Sequence, residues 1–209
     1  MSRYSITLCL LAGCAASNLE EKPGPRGLRA NDHMVMANRE DTRAEEISHW
    51  PDQRPGADGA VPIGVWRGTW DTVAEHRRNA QAHRGAAAQL EAEYQEACGD
   101  SSHAQVSVSP LVRFGVGGSA IPGGTLVLLS PDAGPPDKLL AAMRCHRAWM
   151  MLGRTGMDDC PLDLPGLHVS ARGDANGIEL SITIDDPSLV NELRRRAEHD
   201  LEAAQHGMH

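Results

Sequence analysis

Aromatic side chains are nearly missing from this chain: one Phe, two Tyr and four Trp in 209 residues. A core without aromatics has to be assembled from Ala, Leu, Val, Ile and Met. Positive charge is short as well. Lys plus Arg number 20 against 28 Asp plus Glu, for a net charge of −8. Such a chain lacks the basic field that attracts nucleic acid or anionic lipid, so no nucleic-acid partner is expected and the negative excess serves solubility. No apolar run approaches the ~20 residues that a membrane-spanning helix needs. Catalytic signatures are missing too. There is no HExxH and no GxSxG, and Gly115-Val116-Gly117-Gly118 has neither a GxGxxG frame nor the Lys-Ser/Thr of a phosphate loop. The paired acids Asp158-Asp159 and Asp185-Asp186 are adjacent, a poor geometry for converging on one substrate, and Asp186 reads better as a helix cap. These absences favour a non-enzymatic protein. A hydrolase assembled only in three dimensions has no support in the sequence.

What is present begins with the first fourteen residues. Met-Ser-Arg is followed by a short apolar stretch to Leu11, then Ala12, Gly13 and Cys14. The apolar stretch has the length of a secretory h-region. Leu11-Ala12-Gly13-Cys14 resembles the lipobox of bacterial lipoprotein precursors. The resemblance implies that residues 1–13 are a signal peptide removed in the mature protein. It further implies that the Cys14 thiol carries a diacylglyceryl group and that the new amino terminus is acylated. Two or three chains anchor stably at ~0.8 kcal/mol per buried methylene, where one chain does not. Ala15, with no Asp after the cysteine, resembles the pattern sent to the outer membrane facing the periplasm. The membrane, reached through the lipid, is then one partner and an envelope protein the other.

Residues 14–68 have no sustained period and carry Glu20-Glu21-Lys22-Pro23-Gly24-Pro25-Arg26-Gly27 and later Pro51, Pro55, Gly56, Gly59 and Pro62. That composition predicts a flexible lipid-anchored tether, with one short helical turn near residues 43–48. As a coil it would reach on the order of 40 Å. Trp66 and Trp70 are expected to dock on the domain that follows.

Order is expected from residue 69 to residue 209. Thr72-Val73-Ala74-Glu75 matches a capping box, and a long helix runs to Cys98. Val73, His76, Ala80, His83, Ala87, Leu90, Tyr94 and Ala97 recur three and four apart, one continuous seam. At 1.5 Å per residue this helix is ~40 Å long. It must pack along the domain or pair with another helix, a homodimer being one way to do so. Gly85 inside it costs ~1 kcal/mol relative to Ala. A short strand is expected over 111–116, an apolar strand over 125–129 and a helix over 137–152. Residues 167–184 alternate in polarity around Asp174-Ala175-Asn176-Gly177, which predicts a hairpin with one wet face. Asp186-Pro187 opens the last helix. The fold class is α+β: a small antiparallel sheet with helices packed on one side, preceded by one long helix and a disordered N-terminal tether.

This half is also similar to uncharacterised alanine-rich bacterial lipoproteins that pair an HRRxxxxHR helix with a later CH…CPL. Here those are His76-Arg77-Arg78, His83-Arg84, Cys145-His146 and Cys160-Pro161-Leu162. The likeness spans roughly residues 69–196 and implies no activity.

Three cysteines remain in the domain: Cys98, Cys145 and Cys160. Thiols in an exported protein tend to oxidise, which predicts one structural disulfide and one buried free thiol. Spacing leaves the pairing open. A bridge to Cys160 is slightly favoured, because the loop around Asp158-Asp159-Cys160-Pro161 has little else to hold it. The alternative is a soft-metal site. Cys145, His146, Met150, Met157 and Cys160 lie within sixteen residues. Thiolate, thioether and imidazole all suit copper, a resemblance to the His/Met clusters of periplasmic copper-handling proteins. No cofactor is needed if the disulfide reading holds. His76 and His83, seven residues apart, sit ~10 Å apart along the helix, too far for one ion. They are expected to pack, hydrogen-bonded, against another helix.

Overall fold

A computed structural model describes residues 28–49, 64–99, 101–153, 159–174 and 177–207, with backbone only at 64–71, 103 and 174. The lipobox, Met157, Trp50 and the side chains of Trp66 and Trp70 lie outside the described set. Helices α1 (Ala30–Ser48), α2 (Gly64–Cys98), α3 (His103–Val106) and α4 (Pro110–Phe114) come first. Strands β1 (Gly115–Ile121) and β2 (Gly124–Leu129) follow. Then come helix α5 (Pro136–Met151), strands β3 (Leu167–Asp174) and β4 (Gly177–Ile184), and helix α6 (Val190–Gln205). The four strands form one antiparallel sheet in the order β1-β2-β4-β3. This is the expected α+β class, with helices packed on one side of the sheet.

The period-two segments fold as their alternation dictates. Ile178, Leu180, Ile182 and Ile184 of β4 are buried, as are Leu167 and Val169 of β3, while His168 and Arg172 face water. Each residue of β3 from Leu167 to Gly173 pairs with one of β4, so the apolar sets share a face. β2 departs from its reading as a continuous apolar strand: Val127 and Leu129 point to the core, but Leu128 is 43% exposed on the outer face. Helices α5 and α6 cover the inner face with Leu139, Leu140, Met143 and Met150, and with Leu193 and Ala197.

The strand expected over 111–116 is a correction. Ser109 accepts a hydrogen bond from the Leu111 amide and Pro110 occupies the first helical turn, so α4 forms there. The strand begins only at Gly115. β1 is then Gly-Val-Gly-Gly-Ser-Ala-Ile, a poor strand former by propensity. It is held by pairing with β2 and by α6, whose Leu201 lies so close that a Cβ on Gly118 would stand 2.9 Å from its Cδ1. The tight β1–β2 turn is gripped from α6. Arg194 donates to the Ile121 carbonyl at 2.7 Å and to the Gly124 carbonyl at 3.0 Å.

The 14–68 tether is corrected over residues 30–48. The single turn expected near 43–48 is a nineteen-residue helix, and α2 starts at Gly64. Ala30, His33, Ala37, Glu40 and Ala44 recur at intervals of three and four and face the matching seam of α2. Ala37 and Ala80 are fully buried. The contacts His33–His83 and Glu40–His76 run in opposite directions along the two helices, so the pair is antiparallel. Alanine at the seam lets the two backbones approach closely, and the polar pairs set the register. The seam that suggested a dimer is thus occupied within the chain along the stretch facing α1. The open end of α1 is fixed to the sheet domain by Arg29–Asp163 at 3.1 Å and by Asn31 donating to the Gly153 carbonyl at 3.1 Å.

Gly85 lies on the outside of α2, with none of the described residues near the position its Cβ would take. Gly85→Ala is therefore expected to raise stability by about 0.5–1 kcal/mol, through lost freedom of the unfolded chain and better helix propensity. Urea unfolding reads it directly. A loss of stability would mean that the outer face of α2 is covered.

Candidate functional site

The disulfide joins Cys98, the last residue of α2, to Cys145 in the middle of α5, at a sequence separation of 47 and a Cα–Cα distance of 4.7 Å. Cys160 is free and buried. This reverses the lean toward a bridge at Cys160. The Cys160 loop is held instead by apolar burial of Leu162 and Leu164 and by two arginines of α6. Arg196 donates to the Cys160 carbonyl at 3.3 Å, and Arg195 pairs with Asp159 at 2.9 Å.

Cys160 meets His146 in the core. The His146 Nδ1 lies 2.6 Å from the Val106 carbonyl of α3, and its Nε2 lies 3.6 Å from the Cys160 sulfur. A carbonyl only accepts, so Nδ1 carries the proton and Nε2 turns its lone pair to the thiol. Trp149, one turn on, stacks over the imidazole with ring centroids 6.0 Å apart. Ser109, the α4 cap, interacts with both Cys160 and Asp200 of α6. Five segments (α3, the α4 cap, α5, the Cys160 loop and α6) thus converge on Ser109, His146, Cys160 and Asp200. All four are buried; His146 is 1% exposed and Cys160 4%.

Cys, His, Asp and Ser are the residue types of a nucleophilic site, but the electrostatics here run the other way. Burial pushes the Cys160 thiol up to about 12, and the nearby Asp200 charge adds to it. The reactive form of cysteine is the thiolate, so this thiol is a neutral hydrogen-bonding group. Burial holds His146 below the usual imidazole range. The Val106 hydrogen bond opposes that shift, and the Arg113 charge adds to it. Burial likewise lifts Asp200 from 3.8 to about 6, with the Ser109 hydrogen bond opposing, and its Oδ2 has no partner among the described residues. The cluster is a buried polar network that ties the helices together and, among the described residues, leaves one carboxylate oxygen unsatisfied.

The signs of the two pH effects differ. A raised carboxyl pKa means that Asp200 contributes stability below 3.8 and loses it as pH rises to about 6. His146, depressed, contributes stability above 6.5 and loses it as pH falls through its folded value. Asp200→Asn removes the penalty of a buried charge while keeping an acceptor for Ser109. It is expected to stabilise the protein at pH 7.5 by about 1–2 kcal/mol, with the gain vanishing near pH 4. Chemical denaturation at the two pH values measures this; equal effects at both would remove the buried-charge account.

Of the five residues considered for copper, Cys145 is consumed by the disulfide and cannot ligate as a thiolate. His146 and Cys160 come together, Met150 is fully buried, and Met157 lies outside the described residues. Among the described residues no three His, Cys, Asp or Glu side chains converge as a metal cage, and no helix is long and apolar enough to cross a membrane. His76 and His83 pack against another helix, as their spacing required. The one sequence signal for Asp200 is its place three residues after Ala197 and seven after Leu193, on the apolar stripe of α6. The chain matches no family model, no curated protein and no solved structure.

Proposed function

We propose that this chain is a lipid-anchored protein of the bacterial envelope whose folded part is a binding or scaffold module. The observation that carries the reading is the combination of Leu11-Ala12-Gly13-Cys14 with the Cys98–Cys145 disulfide. The first is an address to a membrane from its outer side, and the second is a bond that persists in oxidising compartments. The buried nucleophile held as a neutral thiol favours a structural over a catalytic role for the Cys160 cluster. In this reading the lipid tethers the chain, the disulfide staples α2 to the sheet domain, and the exposed surfaces meet an envelope partner.

Fatty-acid labelling of the full chain in a bacterial host tests it. The wild type is expected to take up labelled palmitate and to sediment with membranes, and Cys14→Ser to lose the label. An unlabelled wild type would remove the anchor and with it the reading. Copper binding is the weaker alternative, since its ligand set has lost Cys145. Stoichiometric Cu(I) retained by the oxidised chain after desalting would bring it back.

A further inference from the structure

The seam between α1 and α2 places titratable side chains where coiled coils carry leucine. His33 Nδ1 lies 2.9 Å from His83 Nδ1, the two rings tilted at 41°. His33 is 3% exposed and its Nε2 has no hydrogen-bond partner among the described residues. Two facing nitrogens at this distance hold together with one proton and one lone pair between them. With both rings doubly protonated, two N–H groups and two positive charges oppose one another at a contact where His33 is buried and His83 half-buried. A metal ion is a poor occupant, since no third imidazole, thiol or carboxylate converges there among the described residues. Two turns along, His76 Nδ1 meets Glu40 Oε2 at 2.6 Å, and a proton on His76 strengthens that contact. The two polar layers therefore respond to acid in opposite ways.

The surrounding charges do not cancel this asymmetry. On α1, Asp32 favours charge on His33, but its carboxylate also accepts from the Arg29 amide at 3.2 Å. Glu40 is shared between His76 and Arg43, and Asp41 is engaged by Arg84 of α2. From the sheet domain, Asp163 faces the start of α1 and is paired with Arg29.

We propose that α1 is an acid-released clasp: protonation of both His33 and His83 lifts the first half of α1 off α2 and off the sheet domain, while Glu40–His76 holds the second half as the hinge. Burial, with His83 as a second cause, keeps His33 below the usual imidazole range against the pull of Asp32. A depressed histidine contributes closing free energy above 6.5 and loses it as pH falls through its folded value. The opening equilibrium therefore grows up to ~tenfold per pH unit below 6.5. The release stands on the helix pair alone. Its consequence, a longer reach from the membrane in an acid environment, rests on the lipid-anchor reading.

Amide hydrogen exchange of the full exported chain at pH 7.5, 6.5 and 5.5, corrected for the intrinsic rate, tests the clasp. Residues 30–40 are expected to lose protection steeply below pH 6.5, ahead of the β3–β4 hairpin. His83→Gln, which offers His33 an acceptor at any pH, is expected to flatten that loss. Protection of 30–40 that is unchanged to pH 5.5, or that falls together with the hairpin, overturns the proposal. So does an equal acid loss in His83→Gln. The wild-type profile decides even where the variant folds poorly, and lipidation does not enter the readout.

Discussion

Replacing Cys98 and Cys145 together by alanine is expected to lower the unfolding free energy by about 4 kcal/mol. The bridge closes a loop of 47 residues, and a cross-link of that span removes roughly that much loop-closure freedom from the unfolded chain. Its position makes the loss selective. It ties the end of α2 to the middle of α5, so α2, and α1 with it, would lose the one covalent cross-link to the sheet domain among the described residues, beyond the chain itself. Reductant on the wild type should reproduce the variant in urea unfolding, whereas Cys160→Ala should remain sensitive to reductant. An effect under ~1 kcal/mol would mean that packing alone docks α2. Insensitivity of Cys160→Ala to reductant would mean that the pairing differs.

Gly124→Ala is the second large effect, expected to cost about 3 kcal/mol or more. A Cβ at this position would run into the Ile182 carbonyl and stand 2.8 Å from the Thr183 Cα of β4. Both obstacles are backbone, so no side-chain rotation relieves them. Thr183 is the register partner of Gly124, and the Gly124 carbonyl is gripped by Arg194. The sheet and α6 would have to shift together. Gly85→Ala is the matched control: the same substitution, in open space, with the opposite sign. Comparing the two by urea unfolding separates close packing from the intrinsic cost of glycine. A mild effect at Gly124 would show that β2 and β4 are less tightly apposed than described.

The legible parts of the fold were those whose periodicity is written in large apolar residues. The β3–β4 hairpin alternates with Ile and Leu, and α2 repeats Val, Leu, Tyr and Ala with His between them. Helix α1 has the same three-and-four spacing, but its seam residues are Ala30, His33, Ala37, Glu40 and Ala44. None of these is strongly apolar, and Pro- and Gly-rich stretches flank them, so the composition masked the period. β1 misleads for the reverse reason: Leu111 and Val112 look like strand but start a helix behind Ser109 and Pro110, while the true strand has glycine at three of its seven positions and is stabilised by its neighbours. The cysteine pairing could not be read from spacing, because it depends on where the end of α2 meets α5. His146 and Cys160 were legible as neighbours, but Asp200 was hidden on an apolar stripe as an apparent surface acid. Its burial is a tertiary fact.

Intact mass spectrometry of the full-length chain recovered from a bacterial membrane fraction tests the central claim most directly. The account predicts a chain beginning at Cys14, carrying the lipid and acyl adducts, and lighter by the hydrogens of one disulfide until reductant restores them. A chain without lipid that retains its leader or begins elsewhere would contradict it. So would three free thiols in the domain with one copper retained.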